Sequence, residues 1–207
     1  MNTGAFVAGQ LRKPAGLMGK VFGVLMNRVN KDLNKFMLEN LQLEGVDQVL
    51  EIGFGDGKLI REMASFLPKG KVVGIDFSDA MVNQARKNNK KEITQGLVEI
   101  LNASIENIPF DDGRFNKVCS ANTLYFWPNP EQNAKEVYRI LKENSKFILG
   151  FRTKQQLQNQ SFTEHGFTLY TTDEVVALLK KAGFSDVEIV KSPSNMLDSY
   201  CAIASKK

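Results

Sequence analysis

The sequence predicts an α/β fold in which a doubly wound, mostly parallel sheet is covered by helices on both faces. Two observations lead to this prediction. From Gln48 onward, short apolar runs alternate with stretches of helical periodicity, as in parallel strands linked by helices. In addition, an apolar run at 49–52 leads straight into three glycines on alternate positions, Gly53, Gly55 and Gly57. Such a run indicates a strand that turns sharply into a helix.

Seven strands are predicted, near 47–52, 71–76, 97–102, 115–120, 145–151, 184–190 and 198–204. A link of only a few residues, 192–197, joins the last two strands and leaves no room for a crossover helix. These strands are therefore expected to pair antiparallel as a hairpin at the end of the sheet.

Four helices are predicted, near 57–67, 78–89, 130–142 and 172–182. Ser78 is expected to N-cap the second helix, and Asn129 the third, where a proline follows at the first helical position. Thr171 and Glu174 have the spacing of a capping box, and Gly183 suits the turn that ends the same helix.

Composition fits one globular domain in the cytoplasm. The chain has 207 residues, 43% hydrophobic and 24% charged, which suffices for one full core. No apolar run approaches the roughly 18–20 residues that cross a bilayer, and the first residues lack the pattern of a secretory signal. Cys119 and Cys201 lie in apolar strand-like runs and are expected to be buried thiols. A single histidine and two distant cysteines argue against a His/Cys metal site.

Residues 1–40 are predicted to form a basic, amphipathic helical arm that precedes the domain at 41–207. Residues 1–35 carry a local net charge of +5, which leaves −1 for the rest of the chain. The arm is expected to be a solvated helix face or a contact for a membrane surface, an anionic substrate or nucleic acid. An apolar stripe at helical spacing has three interpretations, a helix packed on the core, a lid over the site or a membrane-surface helix. The stripe consists of Leu17, Met18, Val21, Phe22, Leu25, Met26 and Val29.

The glycine spacing distinguishes between two kinds of ligand loop. A dinucleotide fingerprint requires G-x-G-x-x-G, but Lys58 occupies the place of its third glycine and Gly57 comes one residue early. With Glu51 two residues before Gly53, the segment resembles the E/D-x-G-x-G-x-G loop of class I S-adenosylmethionine-dependent methyltransferases. The resemblance covers about residues 40–205. It implies a Rossmann-like seven-stranded sheet, S-adenosylmethionine as cofactor and a methyl-transfer reaction.

The resemblance implies that the loop binds the methionine tail of the cofactor. Glu51 is expected to attract the tail's ammonium directly or through water, while Gly53 and Gly55 line the tail. The cofactor-binding residues implied around the loop are Glu51, Gly53, Phe54, Gly55 and Gly57.

The next two strands are expected to hold the nucleoside. Asp76 ends the second strand, 19 residues after the last loop glycine. This offset is similar to that of the ribose-binding acid in nucleotide folds, so Asp76 is expected to accept hydrogen bonds from both ribose hydroxyls. Phe77 and Met81 could flank the base. By the resemblance, Ser104 and Ile105 stand where the adenine edge is bound, with serine in place of the usual acid.

Residues after the fourth strand are expected to face the reacting methyl group, since ligands of open α/β sheets lie beyond the carboxyl ends of strands. Asn122 is included in the cofactor site. Five aromatic residues are expected to bind the acceptor, Tyr125, Phe126, Trp127, Phe167 and Tyr170, with Phe162 as a sixth candidate. His165, the only histidine, is the candidate base if the reaction requires one.

The expected activity is methyl transfer by in-line displacement to a small-molecule or lipid-like acceptor. Nucleic acid is not expected, because the chain has neither an Asn-Pro-Pro-Tyr sequence nor room for a target-recognition domain. A monomer or weak dimer is predicted. Two alternatives are a catalytically silent S-adenosylmethionine-binding protein that acts through partners and a nicotinamide-dependent oxidoreductase, which the loop spacing disfavours.

Overall fold

Strand and helix alternate through this computed structural model, which describes residues 3–14, 30–193 and 199–207. The strands are β1 (Gln48–Ile52), β2 (Lys71–Asp76), β3 (Val98–Asn102), β4 (Phe115–Ala121), β5 (Leu141–Phe151), β6 (Asp186–Lys191) and β7 (Tyr200–Lys206). The α-helices are α1 (Thr3–Arg12), α2 (30–41), α3 (Lys58–Ala64), α4 (Asp79–Asn88), α5 (Lys90–Thr94), α6 (Pro130–Ile140), α7 (Lys154–Leu157) and α8 (Thr172–Lys181). Short 3₁₀ helices lie at Leu124–Phe126 and Ser161–Glu164.

The strands form one sheet in the order β3-β2-β1-β4-β5-β7-β6. The pairs β1–β2, β1–β4, β2–β3 and β4–β5 are parallel, while β7 lies antiparallel between β5 and β6. The predicted α/β class, the seven strands and the antiparallel hairpin are confirmed. Strand order reverses between β1 and β4, and a reversal of this kind opens a ligand crevice at the carboxyl ends of the strands.

Each face of the sheet carries its own cluster of buried side chains. Within β1, Leu50 and Ile52 belong to one cluster and Val49 to the other. Helices α6 and α8 cover the first face, and α2, α3 and α4 cover the second. Near-continuous burial along β1 is what a parallel strand covered on both faces requires. Cys119 and Cys201 are free, buried thiols in the second cluster, as predicted.

The capping box predicted before α8 is present. The backbone N–H of Glu174 donates to the Thr171 hydroxyl (3.2 Å), and the Thr171 N–H donates to the Glu174 carboxylate (2.8 Å). Gly183 follows the helix with φ 114°, a left-handed conformation that glycine adopts without strain.

Ser78 and Asn129 stand at the N-caps as predicted, but neither side chain makes the predicted capping hydrogen bond. Ser78 stands at the N-cap of α4, but its hydroxyl donates to the carbonyl of Pro14 (3.1 Å). Asn129 precedes Pro130 as expected, yet its side chain makes no capping bond. The Asn129 N–H donates instead to the side-chain oxygen of Asn133 (3.2 Å), which closes the first turn from inside the helix.

Several element boundaries differ from the sequence prediction. β5 begins at Leu141 rather than 145, because this buried leucine pairs with Phe115 before the register shifts. Asn144, in a left-handed conformation (φ 59°), lies within the irregular stretch. Helix α3 ends at Ala64 instead of near 67. Helices α5 and α7 were not predicted because they are shorter than the window over which helical periodicity is recognisable.

The N-terminal arm contributes two described helices, and neither carries the predicted apolar stripe. All seven stripe residues, Leu17 to Val29, lie outside the described residues. Leu33 and Met37 of α2 are buried in the second core cluster, so this helix packs on the sheet. No helix in the described ranges combines the length and the apolar character needed to cross a bilayer.

Candidate cofactor and acceptor site

A cavity of about 460 Å³ lies at the carboxyl ends of the parallel strands. The predicted site residues that line it are Glu51, Gly53, Phe54, Gly55, Asp76, Phe77, Met81, Ser104, Ile105, Asn122, Tyr125, Phe126, Trp127 and Phe167. Gly57, His165 and Tyr170 are not part of the lining. One cavity therefore joins nearly all the residues that the sequence selected, and it is large enough for a small-molecule site.

The glycine loop after β1 is a backbone bend that other residues could not make without strain. Gly53, Gly55 and Gly57 all have positive φ, at 72°, 58° and 75°. A Cβ on Gly53 would also lie 2.5 Å from the methyl of Thr123, whereas one on Gly55 would meet nothing within 4 Å. The open side of Gly55 faces the cavity, so a ligand can lie against its bare backbone.

Gly57 lies on the side of the loop that contacts α4 and is not part of the cavity lining. A Cβ there would lie 2.8 Å from that of Ala85 in α4, and the Gly57 carbonyl accepts from the side-chain amide of Asn89 (3.0 Å). The amide of Asn88 likewise donates to the carbonyl of Asp56 (2.9 Å). The third glycine therefore fastens the loop to α4 rather than lining the cavity.

Glu51 is the most deeply buried acid among the described lining residues. Its side chain lines the cavity although only 3% of the residue is exposed, and its Oε2 has no hydrogen-bond partner among the described residues. Burial raises the pKa of Glu51 well above its ordinary value, and the nearby negative charges of Asp56 and Asp76 raise it further. A buried carboxylate oxygen with no donor fits a cationic ligand group such as an ammonium.

Asp76 is oriented by two backbone donors. The N–H of Gly55 donates to its Oδ2 (3.1 Å) and the N–H of Ser78 to its Oδ1 (2.9 Å). Burial raises the pKa of Asp76 to about 6, although both hydrogen bonds favour the charged form. Since each carboxylate oxygen has a second lone pair, the group can also accept from two vicinal hydroxyls.

The predicted base-binding residues converge around Asp76. Met81 is buried, whereas Phe77 is 40% exposed, with Lys13 Nζ 5.5 Å from its ring centroid. The Ser104 hydroxyl accepts from the N–H of Glu106 (3.2 Å). Glu106, which sequence reasoning missed, also lines the cavity. An acid is thus present in this loop although Ser104 replaces the expected one, and only Ile105 separates Ser104 from Glu106 in the sequence.

A second group of polar residues lies at the ends of β4 and β5. Asn122 has a left-handed backbone (φ 54°), and its side-chain amide donates to Asn30 of α2 (2.9 Å). The Tyr125 hydroxyl accepts from the N–H of Arg152 (2.6 Å) and lies 3.2 Å from both the Arg152 carbonyl and Asn122 Oδ1. Burial raises the pKa of Tyr125 to about 12, so the hydroxyl keeps its proton.

Phenylalanine rings form an apolar wall beside this polar group. The ring of Phe167 lies 4.6 Å from Phe126 and 5.5 Å from Phe162, measured between centroids. Trp127 is buried, and its indole N–H donates to the Thr123 hydroxyl (3.1 Å), so it supports the loop as well as lining the cavity. Tyr170 only packs against the core cluster outside the lining.

His165 lies beside the N-terminal helix. It follows the 3₁₀ helix Ser161–Glu164, and its ring is so close to Gly4 of α1 that a Cβ on that glycine would lie 3.1 Å from it. The structure does not bring His165 into the cavity lining, so its role as a base stays a prediction.

The N-terminal arm also contributes lining residues that the sequence did not single out. These residues are Gln10, Leu11, Arg12, Pro14, Asn30 and Asn34. The sequence indicated them only indirectly, because a lid over the site was one of three interpretations of the apolar stripe in the same arm. Within the described residues, no group of three or more acids, histidines or cysteines is arranged to hold a metal ion.

The cavity has two halves that differ in chemistry. We define the cofactor half by lining residues of β1, β2 and the segments that follow them: Glu51, Gly53, Gly55, Asp76, Phe77 and Met81. We define the acceptor half by lining residues in the segments that follow β4 and β5: Asn122, Tyr125, Phe126, Arg152, Phe162 and Phe167. Asn122, which the sequence analysis included in the cofactor site, is grouped with the acceptor half because it follows β4. Three features of the cofactor half match S-adenosylmethionine: the unpartnered Glu51 oxygen suits its ammonium, the oriented Asp76 suits its ribose diol, and the bare Gly55 backbone suits close approach. The residues present therefore fit this cofactor.

Comparisons with known proteins point to the same chemistry. A family model described as a methyltransferase domain matches residues 50–149. A Bacillus subtilis protein named as a methyltransferase, YrhH, is 27% identical over 179 residues, 86% of this chain and 89% of that protein. The ubiquinone/menaquinone biosynthesis C-methyltransferase UbiE of a Geobacter species is 28% identical over 131 residues, 60% of this chain and 56% of that protein.

The fold is shared with solved structures. A chain from the complex between the Haloferax volcanii methyltransferase activator Trm112 and a protein named as a methyltransferase superposes with a TM-score of 0.79. The match is 18% identical and covers 97% of this chain and 96% of that one. Together with the glycine loop, the two acids and the sheet order, the methyltransferase-domain match over residues 50–149 and the relatives named as methyltransferases support a class I S-adenosylmethionine-dependent methyltransferase.

Proposed function

We propose that this methyltransferase acts on a small molecule whose body is apolar or lipid-like. The observation that carries the proposal is the wall of Phe126, Phe162 and Phe167, which lines the same cavity as the cofactor-binding acids. Walls of this kind bind apolar ligand surface, while a few placed polar groups fix its orientation. The similarity to a ubiquinone/menaquinone biosynthesis C-methyltransferase supports an acceptor of this character.

The residues of the chain act by binding and orientation. When bound, S-adenosylmethionine supplies an electrophilic methyl group next to a good leaving group. Glu51 would hold the ammonium of the methionine tail and Asp76 the ribose diol, and the acceptor half would align the nucleophile with the methyl group. Holding reacting atoms about 3–3.5 Å apart in line can provide much of the rate enhancement without a covalent enzyme group.

The proposal also assigns the compartment. We place the enzyme in the cytoplasm, since Cys119 and Cys201 are buried thiols and disulfides belong to oxidising compartments. A monomer or weak dimer stays a prediction.

Transfer of labelled methyl groups tests the proposal. Wild-type protein is incubated with a cell extract and S-adenosylmethionine labelled in the methyl group, and the products are separated into small-molecule, lipid, protein and nucleic-acid fractions. The proposal predicts label in the small-molecule or lipid fraction, and mass spectrometry then identifies the compound that gains one methyl group. Label confined to protein or nucleic acid would contradict the acceptor class. No label in any fraction would favour a silent cofactor-binding protein.

A further inference from the structure

We propose that the acceptor half of the cavity binds an aromatic carboxylate, with Arg152 holding the carboxylate and the phenylalanine wall holding the ring. This inference deepens the proposed function and rests on it. It depends on where Arg152 lies, on its charge and on the side chains around it.

Arg152 stands at a fixed point of the sheet edge. It directly follows β5, and both its backbone N–H and its carbonyl bond to the Tyr125 hydroxyl, at 2.6 and 3.2 Å. Because the main chain is tied to a buried side chain 27 positions away, the start of the Arg152 side chain is held in place. The residue lines the cavity from this position.

The sheet order assigns Arg152 to the acceptor side. Asp76 ends β2 and Glu51 lies in β1, whereas Arg152 follows β5, which is separated from β1 by β4. A cofactor held by the two acids therefore extends over β1 and β2, and the space over β4 and β5 is left for the second substrate. Among the described lining residues, Arg152 is the cation on that side.

The charge of Arg152 favours an anionic ligand. Burial lowers the pKa of Arg152, yet a guanidinium stays protonated in proteins. A cation that is largely removed from water gains most from an anion, and the planar guanidinium matches a carboxylate with two parallel hydrogen bonds. Arg12 is the only other cationic side chain among the described lining residues, and it is exposed at the end of α1. One partly buried guanidinium matches the single charge of a carboxylate rather than a dianion.

The neighbours of Arg152 complete an amphipathic site. The amide side chains of Asn34 and Asn122 and the phenol of Tyr125 add hydrogen-bonding groups, while Phe126, Phe162 and Phe167 supply the apolar wall. A ligand that satisfies both parts has a flat apolar body and one anionic end. Aromatic acids are small molecules that combine these two features.

Calorimetry with a matched pair of probes tests the inference. Protein saturated with S-adenosylhomocysteine is titrated with 2-naphthoate and with 2-naphthamide, which share a ring and differ in charge. Wild type is expected to bind the carboxylate about tenfold or more tightly than the amide, the effect of one charge-assisted hydrogen bond. Arg152→Met should remove the preference, and Arg152→Lys should keep only part of it. Lys154→Met removes an exposed cation two residues away, outside the lining, and should keep the full preference.

Several results would overturn the inference: equal or tighter binding of the amide by wild type, binding of neither probe, or a preference that survives Arg152→Met. Loss of the preference in Lys154→Met would also overturn it. If Arg152→Met does not fold, the smaller carboxylate affinity of Arg152→Lys, with unchanged amide affinity, decides the matter. S-adenosylhomocysteine is titrated first in every case. Its failure to bind wild type would reject the proposed function, whereas its binding without a carboxylate preference rejects only this inference.

Discussion

The cofactor half of the cavity takes its polar groups from neighbouring strand ends, while the acceptor half collects them from distant parts of the chain. Glu51, Gly55 and Asp76 lie within 26 residues, and backbone hydrogen bonds fix their positions. The acceptor half joins Asn30 of α2 to Asn122 after β4, and Tyr125 to Arg152 after β5. The polar groups of the two halves therefore come from different parts of the chain. Substitutions in the two halves should therefore separate cofactor binding from acceptor use.

The largest effect is expected for Asp76→Ala. The change removes the acceptor for the ribose diol and leaves the N–H groups of Gly55 and Ser78 without their partner. Cofactor affinity should fall on the order of 100-fold, as for loss of two hydrogen bonds to a charged group. Titration calorimetry with S-adenosylhomocysteine measures the change. Asp111→Ala, at an exposed aspartate, is the control, and equal affinity of the two variants would contradict the assignment.

Glu51→Gln should weaken cofactor binding by about tenfold, because the substitution keeps the shape of the side chain and removes its charge. The unliganded variant should nevertheless unfold at a higher temperature than wild type at neutral pH. Burial raises the folded-state pKa of Glu51 above its unfolded value, so the stability linked to its proton is lost as pH rises through the folded pKa. A variant that is less stable and binds normally would refute both statements. Thermal unfolding with and without S-adenosylhomocysteine distinguishes these outcomes.

The pH dependence of cofactor affinity is expected to have a definite sign. The pKa of Asp76 is raised to about 6 and that of Glu51 is raised as well, so acid converts both carboxylates to neutral forms that hold a diol and an ammonium less well. Wild-type affinity should therefore increase as pH rises through about 6, and Glu51→Gln should show a weaker dependence. Affinity that falls over this range in wild type would contradict the roles of both acids.

Phe167→Ala should spare the cofactor and impair the acceptor. The Phe167 ring lies between Phe126 and Phe162, so truncation opens the apolar wall. The kcat/KM for the acceptor should fall about tenfold, with cofactor affinity unchanged. Phe66→Ala, at an exposed phenylalanine, is the matched control and should alter neither quantity. A loss of cofactor affinity in Phe167→Ala would show that the two halves are not separable.

The smallest effect is expected for His165→Asn. The imidazole packs against α1 at Gly4 and is not part of the cavity lining, so kcat should change less than about twofold. Removal of a general base commonly lowers rates by about 10²–10⁴-fold. A loss of that size, measured with saturating cofactor and acceptor, would restore His165 as the base.

Most residues predicted for the cofactor half line the cavity, because their sequence signals are local. Three alternate glycines between an acid and a helix define one backbone bend, and a strand that ends in Asp76 beside it can hardly place that acid elsewhere. The role of the third glycine was not predicted. Gly57 packs against Ala85, and glycine spacing alone does not reveal such a contact between loop and helix.

The acceptor half was only partly predictable because its members meet through tertiary structure. The aromatic residues after β4 were identified from their place at a strand end. Arg152 and Asn34 carry no motif, and they join the site only because β5 pairs with β4 and α2 packs on the sheet. His165 was predicted as the candidate base because it is the only histidine of the sequence, but the fold places it beside α1.

The central claim is that the two acids and the glycine loop together hold S-adenosylmethionine, and calorimetry on the unmodified chain tests it most directly. Wild-type protein is titrated with S-adenosylmethionine and, in parallel, with NADH. We expect saturable binding of S-adenosylmethionine at one site per chain and no binding of NADH. Binding of NADH, or no binding of S-adenosylmethionine to folded protein, would contradict the claim.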